Sequence, residues 1–194
     1  VLQLSDNTGA AWVGHQVGFG KFADYLTRFH LGVPTKIDLQ GEEAGIVRAS
    51  SLWRDIDLAN MSFGQGISVT PLQLTSMFAA IVNGGILYEP YIVDKIIDHK
   101  AQGDSVITHK VKKVGNPITG ATSEKIRYML EDVVTGGEFT WYVKQAGMDK
   151  FPIGGKTGTA QIPVNGVYDA RRTNTTFIGF APVNKPQFIL MVKL

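Results

Sequence analysis

The chain has no cysteine, little net charge and no long apolar run. The lack of cysteine excludes disulfides, thiolate metal sites and a cysteine nucleophile. It also suits an extracytoplasmic protein, where stray thiols oxidise. With a net charge of +2 and no Lys/Arg cluster on a periodic face, the sequence carries no nucleic-acid footprint. The longest apolar runs, Met77 to Val82 and Phe188 to Val192, are far too short to span a bilayer. No signal peptide opens the chain. The four histidines, at 15, 30, 99 and 109, include no pair at metal-ligand spacing, so neither a metal nor a cofactor is expected. Internal repeats and low-complexity segments are also missing.

What remains is 194 residues, enough to bury a core and to form one domain or most of one. Val1 to Leu4 lead straight into a polar motif, and Phe188 to Leu194 stop inside an apparent strand. The chain therefore reads as a fragment, the C-terminal part of a single domain, with any membrane anchor on an N-terminal part.

Two short stretches carry chemistry. Gly154-Gly155-Lys156-Thr157-Gly158-Thr159-Ala160-Gln161 opens an apolar β run. Its glycines let another backbone or a ligand come close. Strand alternation puts Lys156 and Gly158 on one face, Thr157 and Thr159 on the other. A Gly-rich turn entering a strand with an exposed lysine is the plainer alternative. Ser5-Asp6-Asn7 lies at the opposite end, where Ser5 equally reads as a helix N-cap. Ser-Asp-Asn and Lys-Thr-Gly are two of the three elements of serine acyl-transfer enzymes that react with penicillin. The third, Ser-x-x-Lys, supplies the nucleophile. None of Ser5, Ser50, Ser51, Ser62, Ser68, Ser76, Ser105 and Ser123 has lysine three residues on. The nucleophile is expected outside this sequence.

The patterning predicts a short helix from Ala10 to Val17, broken by Gly18 and Gly20, then a stripe of Phe22, Tyr25, Leu26 and Phe29. Residues 32–45 read as loop with a short strand near Ile37. Residues 46–61 lack periodicity, with Trp53 and Leu58 packed and Arg54, Asp55 and Asp57 solvated. Thr70 and Pro71 open a buried helix with Leu74, Met77, Phe78 and Ile81 on its stripe, closed by Gly84-Gly85. Tyr91 to Asp98 and Ser105 to Val114 read as a hairpin. Thr122 caps a helix with Ile126, Met129, Leu130 and Val133, ended by Gly136-Gly137. Strands at 153–162, 175–183 and 187–194 form an antiparallel meander, the first turn at Pro163 to Gly166. The fold class is α/β (α+β), helices packed on an antiparallel sheet.

Both motifs, with Leu31 to Gly45, Ser62-Phe63-Gly64-Gln65-Gly66 through Gly84-Gly85, and Phe177-Ile178-Gly179-Phe180-Ala181-Pro182, resemble the transpeptidase domain of class B penicillin-binding proteins. The likeness covers nearly the whole chain and is nearest to the division or sporulation type. It implies the penicillin-binding transpeptidase/serine β-lactamase-like fold and a D,D-transpeptidase cross-linking peptidoglycan stem peptides outside the cytoplasmic membrane. An absent serine attacks D-Ala-D-Ala, and β-lactams acylate the same serine. Ser5 would relay a proton and Asn7 would bond the substrate amide. Lys156 would supply charge, while Thr157 and Thr159 would grip the substrate carboxylate beside Gly158. The Thr159 N–H would form half of an oxyanion hole. Implied partners are stem peptides, β-lactams, the Ser-x-x-Lys segment of the same protein and other cell-wall synthesis proteins.

The likeness has departures. Relatives carry a Gly-Thr-rich stretch where this sequence reads Gly136-Gly137-Glu138-Phe139-Thr140-Trp141. The family's closing helix and two further strands are missing, leaving Gln187 to Leu194 as an open apolar edge. A serine β-lactamase, a D,D-carboxypeptidase and a non-catalytic stem-peptide or partner-binding domain remain as alternatives.

Overall fold

The computed structural model describes residues 1–100, 103–137, 140–164 and 167–194. Helices α1 (Asn7–Arg28), α2 (Asp55–Ser62) and α3 (Pro71–Val82) precede the short strands β1 (Leu87–Tyr88), β2 (Lys95–Asp98), β3 (Ser105–Thr108) and β4 (Lys113–Gly115). Helices α4 (Gly120–Gly136) and α5 (Thr140–Gln145) follow, then β5 (Gly154–Val164), β6 (Val167–Ala181) and β7 (Phe188–Lys193). The last three form an antiparallel meander in the order β5-β6-β7. Of the first turn expected at Pro163 to Gly166, Pro163 and Val164 belong to β5, and Asn165 and Gly166 lie outside the described residues.

One face of the meander carries the core. Phe78 and Val82 of α3, Leu130 of α4, and Ile178, Phe180 and Val183 form a single buried cluster, with Ile189 and Met191 of β7 packed against it. Burying apolar side chains is the main favourable term here. This is helices on one side of an antiparallel sheet, the expected α/β (α+β) class. No described helix is long and apolar enough to cross a membrane.

The α3 start is as the sequence dictates. Thr70 Oγ1 accepts the Gln73 N–H and Gln73 Oε1 accepts the Thr70 N–H, a reciprocal cap. Gln73 is buried, and its Nε2 donates to the carbonyls of Val33 and Ala44, 2.6 and 2.8 Å away. A buried amide so satisfied pins the 33–44 loop to α3.

Several local expectations change. Helix α1 continues through Gly20 and kinks only at Gly18 (φ 77°, ψ 162°). Residues 55–62 form α2, and 32–45 contain no strand at Ile37. Instead Glu42 accepts bonds from the Thr35 hydroxyl and from the Thr35 and Lys36 N–H groups. The long hairpin is two separate ladders. β2 pairs with β3, whereas β4 pairs with β1. Asp38 explains the break. Its carboxylate takes the N–H groups of Ile92 and Val93, each at 2.8 Å, so these donors need no strand partner. Helix α4 is capped by Thr119, whose hydroxyl accepts the Thr122 N–H.

Asp57 is not a solvated bystander. It accepts the Arg54 N–H at 2.9 Å and the Arg48 guanidinium at 2.7 Å. The Arg54 main-chain bond first, then Arg48, lower its carboxyl from 3.8 to about 2. A depressed folded-state value contributes stability above the unfolded value and loses it as pH falls through the folded one. The difference in melting temperature between the full-length protein and Asp57→Asn should therefore be constant above pH ~5 and shrink towards pH ~2. A difference unchanged across that window would show that the ion pairs do not hold α2.

Candidate active site

Ser5 and Lys156 meet although 151 positions separate them. The Lys156 ammonium Nζ donates to Ser5 Oγ, and also to the Thr157 carbonyl at 3.1 Å. Each partner is held by its own element.

Ser5 ends a tight turn. Its N–H donates to the Leu2 carbonyl at 3.2 Å, and the Asp6 N–H donates to Val1 at 3.1 Å. Ser5 has φ +48°, a left-handed conformation that costs a non-glycine residue about 1–2 kcal/mol. The helix cap is Asp6, not Ser5. Its Oδ1 accepts the Thr8 N–H at 3.0 Å, which opens α1 at Asn7. With capping assigned to its neighbour, the Ser5 hydroxyl is left for Lys156. Asn7 is exposed on the first turn of α1, two residues from Ser5.

Lys156 is fixed by β5. It pairs with Ile178, Thr157 with Phe177, Gly158 with Thr176 and Thr159 with Thr175. Cross-strand partners share a face. Ile178 lies in the core, so Lys156 and Gly158 project towards the helices and Ser5. Thr157 is half-buried and Thr159 exposed, both on the other face. The β5 edge opposite β6 carries no strand among the described residues. A ligand along that edge meets main-chain groups between the two faces.

The glycines before the lysine serve packing. A Cβ on Gly154 would stand 2.5 Å from Cε1 and Cζ of Phe180, and one on Gly155 would stand 2.7 Å from Cζ of Phe177. Two aromatic rings of β6 therefore clamp the root of the motif, one on each face. Gly158 borders Thr176, whose hydroxyl donates to the Gly158 carbonyl at 3.4 Å.

Sequence reasoning assigned Ser5, Asn7 and Lys156 to one cleft, of which the structure shows the Lys156–Ser5 bond. It missed Asp6 as the cap and Phe177 and Phe180 as the clamp. It also missed Gly136 and Gly137, which back onto Gln3 in the Ser5 turn. The Gly-Gly pair was visible but reads only as a helix stop. Glu138 and Phe139, in the stretch that departs from relatives, lie outside the described residues.

An open groove lies elsewhere, between α3 and the segment Tyr88 to Tyr91, and Glu89 is the single charged residue in its lining. Its lining has no nucleophile paired with a base.

Residues 1–194 match the family model described as the penicillin binding protein transpeptidase domain. The chain is 38% identical to stage V sporulation protein D of Bacillus subtilis, over 99% of this chain and 29% of that protein. It is 32% identical to peptidoglycan D,D-transpeptidase FtsI of Escherichia coli, over 99% of this chain and 30% of that protein. Among solved structures, penicillin binding protein 3 of Mycobacterium tuberculosis complexed with ampicillin matches with a TM-score of 0.89 and 31% identity. That match covers all of this chain and 43% of the solved one. The chain thus spans about three tenths of the length of these curated relatives. A match that runs from the Ser5 turn to the last strand, on a sheet that brings Lys156 to Ser5, makes this chain a member of the penicillin-binding protein transpeptidase family.

Proposed function

We propose that the chain is the proton-relay and carboxylate-gripping wall of a serine D,D-transpeptidase that cross-links peptidoglycan stem peptides. The bond from Lys156 to Ser5 is the observation that carries this reading. In it, residues 1–194 are the C-terminal part of one transpeptidase domain at the extracytoplasmic face of the membrane. The reactive serine belongs to a Ser-x-x-Lys segment elsewhere in the same protein, and residues 1–194 by themselves are inactive.

The serine hydroxyl attacks the carbonyl of the penultimate D-Ala, and its proton passes to the lysine of that segment. The peptide C–N bond breaks, and Ser5 delivers its proton to the departing D-Ala nitrogen while taking one from that lysine, so both return to their starting states. An amine of a second stem then attacks the acyl-serine, forms the cross-link and returns the serine proton. Lys156 holds the Ser5 hydroxyl and places positive charge near the substrate carboxylate. The stem peptide adds as a strand along the open β5 edge, where main-chain bonds give affinity. Gly158 presents no side chain there. Thr157 and Thr159 grip the carboxylate, and Asn7 bonds the substrate amide. The Thr159 N–H donates to the oxyanion, an interaction worth roughly 3–4 kcal/mol in the transition state.

Hydrolytic readings use the same wall with water as acceptor. The transpeptidase reading is favoured because one named relative, FtsI of Escherichia coli, is a peptidoglycan D,D-transpeptidase. Fluorescent penicillin should label the full-length protein covalently, with the adduct mapping by mass to a serine outside residues 1–194. An adduct on Ser5, or none anywhere, would overturn the assignment. Rapid hydrolysis of a chromogenic cephalosporin would favour a β-lactamase.

A further inference from the structure

The Ser5 turn rests on the end of α4. A Cβ on Gly137 would stand 2.8 Å from the Gln3 carbonyl oxygen and 2.5 Å from that of Val133, both main-chain atoms. Gln3 is the second residue of the turn closed by the Ser5 N–H on Leu2. Gly137 is extended (φ −94°, ψ −172°), so space and not backbone conformation requires glycine here. Its neighbour differs. A Cβ on Gly136 would meet only the Gln3 side-chain amide, 2.5 Å from Nε2, which can swing away.

The same helix touches the other half of the site. The Glu131 main-chain nitrogen lies 3.4 Å from the position of a Gly154 Cβ, at the root of the Lys156 strand. From Glu131 to Gly137 is about 9 Å along a helix. The last turns of α4 therefore span the gap between the lysine strand and the serine turn.

We infer that Gly137 is a positioning residue, and that the C-terminal end of α4 is a strut setting the separation of Ser5 from Lys156. This rests on reading Ser5 and Lys156 as the proton relay. The strut places the relay hydroxyl and leaves initial ligand capture to the β5 edge. Disturbing it should slow acylation without weakening the first, noncovalent encounter.

The test separates the acylation rate constant k2 from the noncovalent Kd for penicillin in the full-length protein. Relieving a 2.8 Å approach needs a shift of several tenths of an ångström. Since 1 Å of misplacement costs about a hundredfold, Gly137→Ala should lower k2 about three- to tenfold with Kd held. Gly136→Ala should leave both near wild type. Gly136→Leu, a substitution that a helix accepts, presses a bulky side chain on Gln3 from the same helix end and should lower k2 alone. It decides the matter if Gly137→Ala does not fold. An unchanged k2 in Gly137→Ala and Gly136→Leu, or k2 and Kd degraded together, would overturn the strut. Lys156→Ala, run alongside, distinguishes the failures. If it acylates normally, the relay reading itself is wrong. If it is slow while the glycine variants are fast, only the strut fails.

Discussion

Replacing Lys156 with alanine in the full-length protein should slow acylation by fluorescent penicillin about ten- to a hundredfold, with little change in melting temperature. The estimate follows from the bond it removes. A hydrogen bond to a charged group contributes about 1.5–3 kcal/mol, and each 1.36 kcal/mol at the transition state is about tenfold in rate. Lys156 is half-buried on an edge strand, and the charge it loses is not in the core. Global stability therefore has little reason to fall. Ser5→Ala should slow acylation similarly while also relieving nothing in the turn, since alanine at φ +48° is as strained as serine. The double variant should be slowed by less than the product of the two single effects, because both remove the bond they share. Acylation at the wild-type rate in Lys156→Ala would make this an ordinary surface lysine, and the contact with Ser5 incidental.

What could be read from the sequence was local. Thr70 and Pro71 announced α3, and alternation set Lys156 and Gly158 on the opposite face of β5 from Thr157 and Thr159. The two polar motifs pointed to one cleft, and the Lys156–Ser5 bond joins them. What could not be read depends on residues far apart in the chain. The expected hairpin is split by Asp38, whose targets are 54 and 55 residues away. Its carboxyl is held below the usual range by the Val93 and Ile92 N–H groups, a tertiary effect that no window of sequence contains. Helix α2 has only eight residues, too few for a period to show, and it is stabilised by Arg48 outside it. Gly136-Gly137 has the appearance of a helix terminator in sequence. Only the fold reveals that Gln3 lies against it.

The motif glycines let another backbone or a ligand come close; at Gly154 the space is taken by the Phe180 ring, and this leads to the largest expected stability effect. Phe180 is 1% exposed and packs on Phe78 with ring centroids 6.2 Å apart. Phe180→Ala should destabilise the domain by about 3–5 kcal/mol, the usual cost of emptying a core aromatic site. Gly154→Ala adds one methyl, 2.5 Å from the ring, where real contacts require more than 3 Å. Alanine in a strand gains about 0.5–1 kcal/mol over glycine from chain entropy. Overpacking costs about 1–3 kcal/mol, so the clash should win and the variant should be less stable. The two changes share one space. In Gly154→Ala/Phe180→Ala the new methyl enters the hole left by the ring, and the combined loss should fall short of the sum by about 1 kcal/mol or more. Chemical denaturation of the four full-length proteins, followed by tryptophan fluorescence, measures that coupling. Strict additivity would mean that the ring can leave Gly154 freely, and that the aromatic clamp does not fix the strand presenting Lys156.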